Sequence, residues 1–234
     1  KLSRVDQINR QIRSGTWTTT GSTVDQRPSA VEPTPPSAAA ATLPKAAPIV
    51  AIGASTGGPA ALETILSNWP ADFPGAVLIA QHVGVEFAAP MAEWLGGRSR
   101  LKVRAAQPGD WPKSGGALLA ATKDHMVLTG NGTLGYTREP MDCPYRPSVD
   151  ALFRSLADYR ARPGVAILLT GIGSDGAAGL RKLRDAGWLT IAQDQATSVV
   201  YGMPQAAAKL DAATRVLPLG DIAAFVEDSL RRRC

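Results

Sequence analysis

Cysteine and histidine are scarce in this 234-residue chain, with two of each. Cys143 and Cys234 lie far apart, one in a loop-like stretch and one at the terminus. They offer neither a disulfide framework nor the paired spacing of a metal site, so a reducing compartment is expected. No apolar run approaches the roughly 18 residues that a spanning helix needs, and the N-terminal stretch has no signal-peptide core. The expectation is a soluble, cytoplasmic protein without membrane insertion. Long charge runs are missing too. Arg231-Arg232-Arg233 is the one basic run, and no basic stretch interleaves with aromatics, which argues against nucleic acid as a partner. The formal net charge of +5 points instead toward acidic protein surfaces.

What the chain does have is core-forming material. With 44% hydrophobic and 19% charged residues, it suits one globular domain of roughly 150–200 residues plus an extension. Residues 1–15 place Leu2, Val5, Ile8 and Ile12 at spacings of three and four, the stripe of an amphipathic helix. The chain then turns to Thr, Ser, Ala and Pro without periodicity, including Glu32-Pro33-Thr34-Pro35-Pro36, a composition that buries too little apolar surface to offset its ordering entropy. Residues 1–47 therefore read as a helix remnant and a flexible linker, and residues 48–234 as the folded domain. There, strand-like runs alternate with helical patterns: Ile49–Gly53, Pro59–Ser67, Ala76–Gln81, Phe87–Leu95, and later Val165–Thr170, Ala177–Ala186 and Leu189–Gln193. The alternation predicts an α/β fold: a doubly wound, mostly parallel sheet with helices on both faces. The short runs Gly116–Ala121, Met126–Thr129 and Thr133–Thr137, with Gly130-Asn131-Gly132 as a turn, predict an appended antiparallel β-hairpin.

Gly53-Ala54-Ser55-Thr56-Gly57 carries the strongest chemical signal. It is a G-x-S-x-G stretch directly after an apolar run and before a helical pattern, the form of a nucleophile elbow, in which glycines leave the serine hydroxyl uncrowded and the helix N-terminus offers N–H groups to an oxyanion. A glycine-rich turn in which Ser55 merely caps the helix, or cradles a phosphate, is the plainer reading. A serine nucleophile needs a base. His82 follows the strand Ala76–Gln81 and so emerges at the sheet edge where the Ser55 turn sits; His125, between two short ribbon strands, is expected to be structural. Asp175, after the strand Val165–Thr170, is placed to orient the imidazole, although an aspartate before a helix also makes a good N-cap. Asp110, Asp150 and Asp194 remain rivals on spacing alone. Gly171, Gly173 and Gly176 also spell G-x-G-x-x-G, with Asp194 about 20 residues on, the form of a dinucleotide fingerprint. Against this, Asp175 would set a carboxylate in the loop that should cradle a pyrophosphate. A catalytically inert binding module on the same fold is a further alternative.

Several stretches together resemble one family: Ile52-Gly53-Ala54-Ser55-Thr56-Gly57-Gly58-Pro59, Gln81-His82, Arg146-Pro147-Ser148-Val149-Asp150, Leu169 to Gly179, and Ala192-Gln193-Asp194 with Tyr201-Gly202-Met203-Pro204. From about residue 48 to 230 the chain resembles the catalytic domain of chemotaxis-type protein-glutamate methylesterases. The resemblance implies a serine hydrolase that removes methyl esters from glutamates on the cytoplasmic helices of methyl-accepting receptors, and that often deamidates glutamines there. It implies Ser55 as nucleophile, His82 as general base and acid, Asp175 as the orienting group, and oxyanion donors near Thr56 and Ile172, the latter usually a methionine. No cofactor or metal is implied. Arg146 is expected to position the receptor helix or to pair with Asp150. The family carries an N-terminal receiver domain phosphorylated by a histidine kinase, and residues 1–15 read as the linker-side helix left after a receiver is removed. Tyr145 departs from the histidine common before this Arg-Pro-Ser. Phe87–Leu95 and Thr190–Ala196 look closer to the surface-sensing, Wsp-type branch.

Overall fold

The structure is a computed structural model that describes residues 47–159 and 162–232. The helical stripe and linker expected over 1–47 lie outside the described residues, apart from Ala47, as does Cys234. Nine strands and six helices are described, in the order β1 (Ile49–Ala54), α1 (Gly58–Asn68), β2 (Ala76–Gln81), α2 (Val85–Gly96), β3 (Lys102–Ala105), β4 (Gly116–Leu119), β5 (His125–Leu128), β6 (Leu134–Thr137), α3 (Val149–Asp158), β7 (Val165–Leu168), α4 (Ala177–Asp185), β8 (Leu189–Gln193), α5 (Met203–Lys209), β9 (Arg215–Leu217) and α6 (Leu219–Arg231).

Seven strands form a parallel sheet in the order β3-β4-β2-β1-β7-β8-β9. The chain winds outward from β1 through β2 to one edge, then returns to the other side of β1 through β7. The switch in winding direction therefore falls at β1, and the carboxyl ends of β1, β2 and β7 lie side by side there. Crevices at such points are where ligands bind in open α/β sheets. β1, β2 and β7 are buried throughout, because helices cover both faces. Alternate side chains sort accordingly. Val50, Ile52, Val77, Ile79, Val165 and Ile167 pack with α1, α2 and α6. Ala51, Leu78, Ala80, Ala166 and Leu168 pack with α3, α4, α5 and the β5–β6 ribbon.

The fold is the α/β class that the alternation predicts, with one relocation. Gly116–Leu119 is no part of the ribbon: as β4 it pairs parallel with both β2 and β3 inside the main sheet. Its run Ala117-Leu118-Leu119 is buried on both sides, which a two-stranded ribbon could not achieve. The ribbon is β5 and β6 alone, antiparallel, with Thr129 N–H closing the turn onto Thr133 O. Strands β3 and β9 escape pattern reading because they are edge strands of four and three residues whose outward positions, Lys102, Arg104 and Arg215, are charged and exposed.

The ribbon and α3 matter because they close the second face beside the switch point. Phe153, fully buried in α3, lies where α3 meets α4; a Cβ added at Gly179 of α4 would stand 2.7 Å from the Phe153 Cβ. That closeness leaves little room to collapse around a void. Phe153→Ala is expected to lower the unfolding free energy by about 3–5 kcal/mol, read by urea denaturation. A loss below about 1 kcal/mol would mean that α3 is not seated through this ring.

Candidate active site

β1 ends at Ala54, opposite Gln81 of β2, and the last ladder bond runs from His82 N–H to Ala54 O at 3.0 Å. Ser55 and His82 thus leave the sheet on neighbouring strands. From the other side of β1, Ser55 N–H donates to Thr170 O at 3.0 Å. The backbone after β7 then passes so close to the serine that a Cβ at Gly171 would lie 2.6 Å from the Ser55 Cβ; only glycine lets these two loops touch. The capping alternative for Ser55 is not realised. The N-cap of α1 is Gly57, in the left-handed region at φ 79°, and no side chain caps the helix.

His82 Nε2 lies 2.8 Å from Asp175 Oδ2. The Asp175 carboxylate is buried and accepts three further hydrogen bonds: from Val149 N–H at 2.7 Å, from Ser148 Oγ at 2.8 Å and from Asp150 N–H at 3.1 Å. Asp175 is therefore a helix cap, but of a different helix from the one expected. Its own helix α4 starts at Gly176 with no side-chain cap, whereas Asp175 sits on the first-turn amides of α3, where the helix dipole also favours a negative charge. Burial alone would push this carboxyl up; the hydrogen bonds from His82, Val149, Asp150 and Ser148 outweigh it and hold Asp175 below the usual aspartate range. An ionised carboxylate only accepts, so Nε2 of His82 carries the proton. Nδ1 is then the basic nitrogen, and it is buried without a hydrogen-bond partner among the described residues. The carboxylate thus meets Nε2, whereas in the serine-protease triad it holds Nδ1.

Two backbone amides complete the picture. The N–H groups of Thr56 and Ile172 donate to no group among the described residues, and the two stand on the loops that meet at Ser55 and Gly171. Both residues are exposed. Tyr145 stacks flat on His82, ring centroids 4.3 Å apart and planes 2° from parallel, covering one face of the imidazole.

The remaining candidates have other employment. His125 is not loosely placed between strands: it is the first residue of β5 and fully buried, accepting from Ser148 N–H at Nδ1 (2.9 Å) and lying 3.3 Å from Pro140 O through Nε2. Arg146 makes no pair with Asp150; its Nη2 donates to the carbonyls of Arg138, Pro140 and Met141, clamping the loop before α3. Asp150 instead accepts from Gly179 N–H at 2.6 Å and lies 3.7 Å from Arg154. Asp110 pairs with Arg104 away from the site, and Asp194 caps its own turn through Thr197. The glycine pattern at 171–176 is thus no dinucleotide cradle: its aspartate faces His82, and the acid expected for a ribose is spent on a turn. Ser148, Gln81 and the ring stack of Tyr145 are parts of the site that spacing did not reveal, although Ser148 before an apolar helix has the form of an N-cap.

In fold and in site, the molecule falls in the class of α/β domains that bring a serine, a carboxylate-paired histidine and free backbone amides to the switch point of a parallel sheet. Comparison narrows the class. The family model described as CheB methylesterase matches residues 50–226, and the chain belongs to that family. It is 58% identical over 186 residues to protein-glutamate methylesterase/protein-glutamine glutaminase 2 of Burkholderia orbicola, covering 80% of this chain and 56% of that protein. To protein-glutamate methylesterase/protein-glutamine glutaminase 4 of Burkholderia thailandensis it is 50% identical over 224 residues, 95% of this chain and 61% of that one. The chain thus spans well under two thirds of these curated relatives. The crystal structure of the Thermotoga maritima CheB methylesterase catalytic domain superposes with a TM-score of 0.74 at 33% identity, covering 79% of this chain and 99% of that chain.

The charge on Asp175 yields a pH prediction. A carboxyl whose folded pKa is lowered contributes stability that is fully present above the unfolded value of about 3.9 and is lost as pH falls through the lower folded value. Asp150, which burial pushes up despite the Gly179 hydrogen bond, acts oppositely: its contribution is present below the unfolded value and lost as pH rises through the folded one. Asp175→Asn removes the first and, by taking away the neighbouring negative charge that helps burial raise Asp150, also weakens the second. Urea unfolding from about pH 6 to about pH 2.5 should show the native chain losing stability more steeply than Asp175→Asn below about pH 4; parallel curves would sink the assignment.

Proposed function

We propose that this domain is a serine hydrolase that removes methyl esters from glutamate side chains of methyl-accepting receptor proteins. The observation that carries the reading is the pairing of ionised Asp175 with His82 Nε2, which leaves Nδ1 as an unpartnered base beside the Ser55 turn. Ser55 Oγ attacks the ester carbonyl while Nδ1 takes its proton, and Asp175 stabilises the imidazolium that forms. The N–H groups of Thr56 and Ile172 hold the tetrahedral oxyanion; both are main-chain donors, so isoleucine in place of methionine at 172 leaves the chemistry intact. Methanol departs with the proton from Nδ1. Water, deprotonated by the same nitrogen, then cleaves the acyl-enzyme to free glutamate and Ser55. A glutamine side chain follows the same course with ammonia as the leaving group, in keeping with the double names of the relatives.

The surroundings suit a protein substrate. Phe87, Ile172 and Val199, each more than half exposed, follow the carboxyl ends of β2, β7 and β8. Exposed apolar side chains after these strand ends fit the apolar stripe of a helix, and the net charge of +5 favours one rich in glutamate. Arg146 serves this surface by holding the 138–141 loop. No described helix is long and apolar enough to cross a membrane; we place the domain in the cytoplasm, against receptor helices. A phosphorylated receiver domain and its histidine kinase are the proposed regulators, with residues 1–47 as the connection. The names of the relatives do not separate flagellar from surface-sensing pathways.

Methanol release from methylated receptor membranes tests the reading. Ser55→Ala and His82→Ala should each lower turnover by about 10³-fold or more, and the double variant should be little worse than the weaker single, because the groups act as one unit. Independent, multiplicative losses would show that His82 does not serve Ser55.

A further inference from the structure

Gln81, the last residue of β2, is 2% exposed, and its amide is used in an unusual way. Nε2 donates both to Ser55 O at 2.9 Å and to His82 O at 3.0 Å. Oε1 is buried with no hydrogen-bond partner among the described residues, pressed against Gly58, where a Cβ would overlap it. A buried acceptor left unpaired costs stability. The orientation of the amide is nonetheless unambiguous, since two carbonyls demand the donor end.

The geometry points to Gln81 as a positioning residue that aims the Thr56 N–H at the oxyanion, an inference that rests on the hydrolase reading above. Ser55 C=O and Thr56 N–H belong to one peptide unit, which is planar and trans, so fixing the direction of the carbonyl fixes the N–H to point the opposite way. Two donors hold that carbonyl: Gly58 N–H at 2.8 Å from within the α1 turn, and Gln81 Nε2 from the neighbouring strand. Donation to a carbonyl also polarises the peptide and strengthens its N–H as a donor. The second bond, to His82 O, ties the base to the same amide just where the β1–β2 ladder ends and the two chains separate. One side chain thus sets nucleophile turn, oxyanion donor and base relative to each other, and the unpaired Oε1 is the stability given up for it.

Gln81→Met tests this, since methionine matches the length, cannot donate and removes the orphan acceptor. The melting temperature should stay within a few degrees of that of the native chain, since losing the orphan acceptor offsets losing the two donated bonds, while kcat for methanol release falls about 10- to 100-fold, less than the 10²–10³ for complete loss of an oxyanion donor, with KM unchanged. Labelling of Ser55 by a fluorophosphonate, which forms its own tetrahedral oxyanion, should slow in parallel. In ¹⁵N-resolved NMR the Thr56 amide proton should move upfield as its peptide loses polarisation, a signal that needs no turnover. If Gln81→Met does not fold, Gln81→Leu is measured in the same way. A folded variant with native kcat, native labelling rate and an unmoved Thr56 resonance overturns the proposal, as does a loss of activity that only parallels a lower melting temperature. If the native chain is labelled at Ser55 but releases no methanol, the substrate reading fails and the labelling rates still decide the role of Gln81; if it is not labelled, the Thr56 resonance decides it.

Discussion

One buried carboxylate ties this site to its fold. Asp175 accepts from His82, from Ser148 Oγ and from two amides at the start of α3, so a single charged group is at once the orienting partner of the imidazole and the cap of a neighbouring helix. An isolated ion at this depth would be neutralised rather than tolerated. Here the donors keep it charged, and the charge decides the tautomer of His82: hydrogen on Nε2, lone pair on Nδ1.

The same knot reaches outward through α3. Ser148 caps the helix by accepting from Ala151 N–H and donates onward to Asp175, while its own N–H is held by His125 from the ribbon. His125 is fixed in turn against Pro140, in the loop that Arg146 clamps. The ribbon is therefore more than an appendage: its first buried residue holds the residue that holds the carboxylate. Tyr145, between the clamp and the cap, is delivered by this loop onto the face of His82. A second histidine thus contributes from outside the Ser55–His82 pair, with its Nδ1 accepting from Ser148 N–H.

On the other side, the sheet supplies rigidity of a different kind. β1 is paired along its length with β2 and over four residues with β7, so Ser55 starts from a backbone fixed on both edges. The site lies where those pairings end, and side chains take over from the ladder: Gln81 between β1 and β2, and Thr170 Oγ1, which donates to Thr56 O, between β7 and the serine turn. The superposed catalytic domain shares the fold over 79% of this chain, and Tyr145 and Ile172 fall on loops rather than in the ladder.

Much of this was legible in the residue order. Continuous apolar runs alternating with period-3.6 patterns distinguish a parallel α/β sheet, because its strands are buried on both faces. Ser55 and His82 announce themselves as polar residues directly after such runs and Asp175 in the short loop after another, and parallel strands must deliver all three to one edge. The order of residues also carries the family resemblance. It does not reveal that Gly116–Leu119 leaves the ribbon for the sheet, since a short apolar run has no preference for either partner. Nor does it tell whether Asp175 caps its own helix or another, whether Asp150 meets Arg146 or Gly179, or which nitrogen of His82 meets Asp175. Those depend on contacts between segments more than twenty residues apart, and hydrogen-bond direction at a buried carboxylate is settled only when helix, ribbon and strand ends converge on it. Residue order alone specifies which groups are available for chemistry here; how they meet one another is set by packing, because orientation belongs to the space between elements and not to any one of them.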